Sequence, residues 1–178
     1  MVDTRVVDTN VLIVASAADG GSPFRPEATP VQEAALRQQV LDWLKAFECD
    51  GQRHAVLDWD WLICGEYQNK LTNQDYGWLA LMSKNDRNEV VWVGLTTDAD
   101  GHAELPASLA PSITDLADRK TVAAVLASQA EGHHSSLVNA CDTDWLDCAE
   151  ALAQHGVATE HLIEPWLRSK WQSMRASA

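Results

Sequence analysis

The sequence lacks long apolar stretches. Nowhere among its 178 residues is there the run of about 18 uninterrupted apolar residues that a membrane-spanning helix requires. The first residues include Asp3 and Arg5 and form no apolar leader of the secretory kind. We therefore expect a cytoplasmic protein that does not enter a membrane.

Cysteine is scarce, and its spacing is not that of a metal site. The four cysteines are Cys49, Cys64, Cys141 and Cys148, and no two of them form a CxxC pair. Zinc sites built on sulfur usually use such close pairs, and a disulfide framework belongs to secreted chains. None of the six histidines has ligand spacing either. We predict that the cysteines are reduced core residues.

Positive charge is also in short supply. Thirteen Lys and Arg face 26 Asp and Glu, for a formal net charge of −13. Such a balance opposes non-specific binding to phosphate backbones and is evidence against a simple nucleic-acid coat. It does not exclude a nuclease, whose cleft can hold acids for a metal and needs only a few local cations. A metal or a basic partner protein would complement this surface.

Hydrophobic periodicity predicts an α/β order. Strands are predicted at 5–8, 54–57, 89–97, 136–141 and 157–163, and helices at 11–18, 31–47, 59–71, 76–83, from 118, at 144–154 and from 165. The turn at 98–101 predicts a hairpin, so residues 89–112 would elaborate the fold, and 165–178 would be a C-terminal helix and tail. We predict a single domain over 1–178, a three-layer α/β/α fold around a central parallel sheet.

Acidic residues stand where the predicted elements begin or end. The candidates are Asp8, Glu66, Asp118, Asp142 and Asp144. Taken singly, Asp118 and Asp144 could be acids at helix N-termini that stabilise the helix by about 0.3–1 kcal/mol. Glu66 could be a solvated side chain. Jointly they would be costly, because two carboxylates about 5 Å apart repel by about 3 kcal/mol at a dielectric of about 20. Mg2+ or Mn2+ held by oxygen ligands would relieve this repulsion.

Four segments together resemble the successive motifs of PIN-domain proteins. They are residues 6–12 (VVDTNVL), the helix around Glu66-Tyr67, residues 118–123 (DRKTVA) and residues 138–145 (VNACDTDW), in the family's order. The resemblance implies a PIN-like fold and an Mg2+- or Mn2+-dependent endoribonuclease that cleaves single-stranded RNA. It also implies a toxin-like role with an antitoxin or another protein partner, and a homodimer by analogy.

The same resemblance implies roles for individual residues. The implied catalytic metal ligands are Asp8, Glu66, Asp118 and Asp142, with Asp144 as a further acid at the metal and Asn10 and Asn139 as auxiliary residues. Asn10 would orient Asp8. One departure stands out: the family's Thr-x-Asp is replaced by Asn139-Ala140-Cys141-Asp142, which is one residue longer. Either Asp142 or Asp144 could therefore be the fourth ligand.

Two other functions compete with this interpretation. The string Asp8-Thr9-Asn10-Val11 is close to an aspartyl-phosphate loop, but Asn10 cannot act as the general acid that such a loop needs. A catalytically silent PIN-like module that binds a protein partner is the stronger alternative. Its hallmark would be the loss of an acid, and all four are present.

The remaining candidates concern nucleic-acid contacts. Eight tryptophans raise a base-stacking hypothesis. Those in predicted helices beside apolar neighbours are Trp43, Trp59, Trp61 and Trp78. For most of them we predict core packing. Arg119 and Lys120, next to Asp118, are candidates for a phosphate contact or for an ion pair with a neighbouring acid.

Overall fold

A five-stranded, all-parallel sheet forms the centre of the chain. The structure, a computed structural model, describes residues 1–178. The strands are β1 (Asp3–Val7), β2 (Arg53–Asp58), β3 (Val90–Val93), β4 (His134–Asn139) and β5 (Ala158–His161), in the spatial order β3-β2-β1-β4-β5. The helices are α1 (Thr9–Ala18), α2 (Ala34–Cys49), α3 (Leu62–Lys70), α4 (Tyr76–Asp86), α5 (Arg119–Ala130), α6 (Asp144–Asp147), α7 (Ala149–Gln154) and α8 (Glu164–Ala176). The predicted α/β/α class is confirmed.

The layers follow from apolar residues on both faces of the sheet. Val6 and Val7 of the central strand are buried, as expected where helices cover both sides. Helices α1, α2 and α4 pack on one another, and α5 packs on β1, β2 and β4. Right-handed crossovers place the helices between β1 and β3 on one face and those between β3 and β5 on the other.

The two halves of the sheet diverge between β1 and β4. These strands are neighbours in parallel register, with Val7 beside Val138, yet the chain leaves β1 towards β2 and leaves β4 towards β5. The helices that follow therefore go to opposite faces and leave a crevice at the carboxyl ends of β1 and β4, where open α/β sheets bind ligands. Asp8 lies directly after β1, and Asn139 ends β4.

The predicted hairpin is confirmed only close to its turn. β3 spans only Val90–Val93 and pairs in parallel with β2, while the segment beyond it contributes one antiparallel bridge, from Thr97 to Ala103. The turn itself is real, because the Asp98 carboxylate accepts the backbone N–H groups of Asp100 and His102. Next to the turn, the N–H groups of Asp98 and Glu104 donate to the carbonyl oxygens of His102 and Thr96 at 2.9 and 2.8 Å, and the antiparallel pairing extends no further.

Two predicted helices differ from those observed. The helix predicted at 144–154 is interrupted at Cys148 and forms α6 and α7. The helix predicted from Trp59 begins at Leu62, where the Asp58 carboxylate accepts the first N–H groups, as predicted for a cap. Trp59 and Trp61 thus lie in a turn, 67% and 42% exposed. The core packing predicted for most of the four tryptophans fails for these two, whereas Trp43 and Trp78 pack against the core, partly buried. No helix has both the length and the apolarity to cross a membrane.

We expect Gly77 to be the least replaceable glycine of the fold. A Cβ added there would lie 2.6 Å from the carbonyl oxygen of Leu12 and 2.7 Å from its Cβ, because α4 approaches α1 closely. Gly77→Ala should lower the free energy of unfolding by about 1–3 kcal/mol through overpacking, measured by urea denaturation. Gly65→Ala is the control, since its nearest neighbour would be 4.0 Å away and helical alanine should stabilise by about 0.5–1 kcal/mol. Equal effects at the two positions would contradict the close helix contact.

Candidate metal centre

Asp8 occupies the end of the central strand. One carboxylate oxygen, Oδ1, accepts the backbone N–H of Asn10 at 3.2 Å and so caps α1. The other, Oδ2, accepts the indole N–H of Trp145 at 2.6 Å. Each oxygen carries one donor, so lone pairs on both remain available to a further ligand.

Three more carboxylates meet beside this strand end. Asp118, Asp142 and Asp144 bring carboxylate oxygens within 4.8 Å of one another. Asp118 precedes α5 but makes no side-chain cap hydrogen bond, so the helix-capping interpretation does not account for it. Asp142 follows β4, and one of its carboxylate oxygens, Oδ1, accepts the backbone N–H of Asp144 at 2.9 Å. Asp142 and Asp144 both belong to the group.

A pair of asparagines ties the two strand ends together. The Asn10 side-chain oxygen accepts the N–H groups of Ala140 and Cys141 at 2.9 and 3.1 Å, and its amide donates to Asn139 Oδ1 at 3.0 Å. Asn139, fully buried, also accepts the backbone N–H of Asp142 at 3.1 Å. These hydrogen bonds form an Asn10–Asn139 brace. The brace holds the segment Asn139-Ala140-Cys141-Asp142, including its extra residue, and orients Asp142 towards the crevice.

Glu66 lies apart from the three clustered acids. Its carboxylate accepts the Thr9 hydroxyl at 2.5 Å and forms an ion pair with Lys120. The next residue, Tyr67, is buried and donates its hydroxyl to the carbonyl oxygen of Val7, which holds α3 against the end of β1. The structure therefore places Glu66 close enough to Asp8 to raise that residue's pKa, but with a cation already bound to it.

Burial and mutual repulsion raise the pKa values of Asp8, Asp118 and Asp142. Burial, followed by the charges on Asp8, Asp142, Asp115 and Asp144, raises the pKa of Asp118 to about 8. The pKa of Asp142 is also raised, chiefly by burial.

Asp8 follows the same pattern with partial compensation. Burial raises its pKa to about 6, the charges of Asp142 and Glu66 add to the rise, and the hydrogen bonds from Trp145 and Asn10 oppose it. Acids in a cleft whose pKa values are raised this strongly are typical of functional sites.

No lysine or arginine side chain forms an ion pair with these four aspartates. Arg119, the nearest arginine in sequence, donates instead to the carbonyl oxygens of Ile113 and Ala110, so the predicted phosphate contact has no support there. Lys120 forms the ion pair that was its alternative. The protein itself offsets the repulsion among Asp8, Asp118, Asp142 and Asp144 only in part, through the charge of Lys170, which acts to lower the pKa of Asp142.

The segment 115–118 lines two clefts of opposite character, through Asp115 and Asp118 in the first and Leu116 and Ala117 in the second. The first, about 460 Å3, contains no lysine or arginine. Its acidic residues are Asp115, Asp118, Asp144, Asp147 and Glu150. The second, about 510 Å3, is lined by Lys70, Lys120, Glu66 and Trp61 among others. Residues 116–118 separate the two.

Sequence analysis missed two contributors to the site. Trp145 supplies the hydrogen bond to Asp8; it directly follows Asp144, and a buried indole N–H requires an acceptor, which is the signal that could have identified it. Asp115 adds charge to Asp118 from an exposed position that no pattern distinguishes. A second acidic group, Asp98, Asp100 and His102, also brings ligand atoms within 4.8 Å of one another, but it lies on a loop turn rather than at the sheet edge.

Comparison of the chain with protein-family models, curated proteins and solved structures gave no match. The PIN resemblance therefore depends on the motifs quoted above, and the roles that it implies stay predictions.

We expect Asn10→Ala to loosen the brace. The substitution leaves the buried N–H groups of Ala140 and Cys141 without their acceptor, which should cost about 1–3 kcal/mol of unfolding free energy. Asn73→Ala, at an exposed position, should change it by less than about 0.5 kcal/mol. Chemical denaturation of both variants measures the difference; similar losses would contradict the brace.

We expect the metal-free protein to lose stability as its acids ionise. Because the pKa of Asp118 rises on folding from 3.8 to about 8, the folded state binds more protons between these values, and its stability falls as pH rises through them. Asp118→Asn should therefore raise Tm in chelator, by little near pH 4 and by a few degrees near pH 8. Thermal melts across this range measure the difference between variant and wild type.

Asp86→Asn is the matched control, because Asp86 is exposed at the end of α4. Its effect on Tm should not grow with pH. An Asp118→Asn difference that is constant or shrinks towards high pH would contradict the electrostatic account of the site.

Proposed function

We propose that this protein is a metal-dependent endoribonuclease of PIN type that hydrolyses phosphodiester bonds in single-stranded RNA. The observation that carries the proposal is the convergence of Asp118, Asp142 and Asp144, whose carboxylate oxygens lie within 4.8 Å of one another. Asp8 lies beside them, near enough for its charge to raise the pKa of Asp118, and none of the four forms an ion pair with a lysine or arginine. The carboxyl edge between β1 and β4, where they meet, is where ligands bind in open α/β sheets. The choice of RNA comes from the family resemblance.

The donors fit a hard divalent cation. Every candidate ligand atom in the cluster is a carboxylate oxygen, which suits Mg2+ or Mn2+ and not the softer metals that prefer sulfur or imidazole. Cys141 is nearby and buried, but burial raises the pKa of its thiol to about 12, which keeps it protonated. Asp8, Asp118, Asp142 and Asp144 would hold the ion, with Glu66 adjacent and compensated by Lys120.

The chain's own residues prepare this edge for phosphodiester hydrolysis. When bound, a divalent cation would activate a water and stabilise charge on the attacking and leaving oxygens. Trp145 and the backbone N–H of Asn10 orient the two oxygens of Asp8. The Asn10–Asn139 brace positions Asp142. Asp144, exposed at the rim, completes the acidic wall facing solvent.

A catalytically silent binding module accounts less well for these features. Such a module would gain nothing from four mutually repelling carboxylates, because each pair about 5 Å apart costs about 3 kcal/mol at a dielectric of about 20. A protein that only presented a surface would be more stable with one or more of them replaced. The presence of all four favours the catalytic role. The toxin-like context and its antitoxin or other partner belong to the same proposal as extensions.

The cleavage experiment follows directly. Purified protein should cleave a mixed-sequence single-stranded RNA with Mg2+ or Mn2+ and not with chelator. Asp118→Asn and Asp142→Asn should each lower the rate by about a hundredfold or more, since each weakens both cation binding and charge stabilisation. Gel analysis of an end-labelled RNA gives the rate.

Asp86→Asn, remote from the crevice, is the control and should cleave as wild type does. Cleavage that persists in chelator would contradict the metal-dependent mechanism. Cleavage that survives both cluster substitutions would show that a contaminant or another site is responsible. An absence of cleavage with either metal, in protein that melts cooperatively, would favour the binding module.

A further inference from the structure

Three tryptophans form an exposed aromatic group at the carboxyl ends of β2 and β3. Trp59 and Trp61 follow β2, and Trp92 lies on β3. The rings of Trp59 and Trp92 stack with centroids 5.2 Å apart, and those of Trp61 and Trp92 with centroids 6.1 Å apart and planes within 11°. With Trp59 67% and Trp61 42% exposed, aromatic surface remains open to solvent.

The backbone fixes Trp61 in an uncommon conformation. Its φ is 64°, in the left-handed region that bulky residues rarely adopt. The Asp58 carboxylate holds the following turn through the N–H groups of Leu62 and Ile63, and the Trp61 indole N–H donates to Gln68 at 3.1 Å. The ring is thus held in place by the turn and by α3, with little freedom to lose on binding a ligand.

The same ring lines the cleft that contains the lysines. Its charged and titratable residues are Glu66, Lys70, His102 and Lys120. Glu66 and Lys120 neutralise each other, which leaves Lys70, exposed on α3, as the free cation. Leu116, 40% exposed, adds apolar surface.

The charges of the two clefts distinguish their occupants. The cleft on the other side of residues 116–118 has five acids and no lysine or arginine, so it would repel phosphate. The lysine cleft combines a fixed aromatic face with the free cation of Lys70, and aromatic stacking together with positive charge is how proteins hold single-stranded nucleic acid. Its wall includes Ala117 and Lys120, on either side of Asp118 in sequence.

We propose that Trp61, supported by Trp59 and Trp92, stacks an unpaired base of a single-stranded nucleic acid whose phosphates contact Lys70. The identity of the strand as RNA rests on the proposed function; the stacking contact rests on the exposed aromatic group and Lys70. A base must leave its duplex to stack on a ring in this cleft. This stacking platform, formed by Trp59, Trp61 and Trp92, would therefore restrict binding to single strands.

Binding without turnover tests the platform. Fluorescence anisotropy in chelator compares a short, labelled, mixed-sequence single-stranded RNA with an abasic oligonucleotide of the same length and charge. Wild type should bind the RNA at least about tenfold more tightly than the abasic strand, and Trp61→Ala should weaken RNA binding by about five- to a hundredfold. Trp61→Phe should retain most of the affinity, because a phenyl ring still stacks.

Trp166→Ala is the matched control. Trp166 is a half-buried tryptophan on α8 that contacts Lys170, away from this cleft, and its loss should leave both affinities unchanged. Lys70→Gln should weaken the RNA and the abasic strand equally, since it acts on the backbone alone. Equal affinity of wild type for the two ligands would overturn the proposal, as would unchanged RNA binding by Trp61→Ala.

Cleavage by the same preparations with Mn2+ separates the two proposals. Metal-dependent cleavage without base-dependent binding would support the nuclease proposal and contradict the stacking platform. Base-dependent binding through Trp61 without cleavage would support the stacking platform and contradict the nuclease proposal. A Trp61→Ala protein that fails to fold is replaced in the comparison by Trp61→Leu, which keeps apolar bulk but cannot stack.

Discussion

Repulsion between carboxylates at the edge of the sheet is the constraint on which the rest of this structure depends. Asp8, Asp118, Asp142 and Asp144 come from three segments, and none forms an ion pair with a lysine or arginine. The raised pKa of about 8 at Asp118 expresses the cost of bringing them together. Folding must therefore supply stability elsewhere, and the buried apolar core of 35 residues that surrounds the central strands does so.

Much of the local architecture holds this costly arrangement in place. The Asn10–Asn139 brace joins the two strand ends, Trp145 fixes Asp8, and the Tyr67 hydroxyl ties α3 to the last carbonyl group of β1. Each contact uses a polar group that would be costly to bury without a partner. Removing any one of them would relax the geometry of the acids rather than remove an acid, so these residues position the site.

The sequence predicted what depends on local patterning. Apolar runs predicted the strands, and Asp8 and Asp142 were recognised because acids after buried strands in a parallel sheet share an edge. It offered an ion pair with an acid as one alternative for Lys120 but could not name Glu66 as the partner, because that contact depends on the long-range packing of α3 against α5. Trp59 and Trp61 were misassigned for a related reason. Asp58 caps the helix from four residues before its first residue, Leu62, so the two tryptophans lie in an exposed turn and not in the helix.

Diffraction from crystals grown with Mn2+, recorded at the manganese absorption edge, tests the central claim most directly. The account predicts an anomalous peak among the carboxylates of Asp8, Asp118, Asp142 and Asp144, with Glu66 beside it. An empty acidic cluster at saturating Mn2+ would contradict it. So would a peak found only at the loop turn formed by Asp98, Asp100 and His102, the other group whose ligand atoms lie within 4.8 Å of one another.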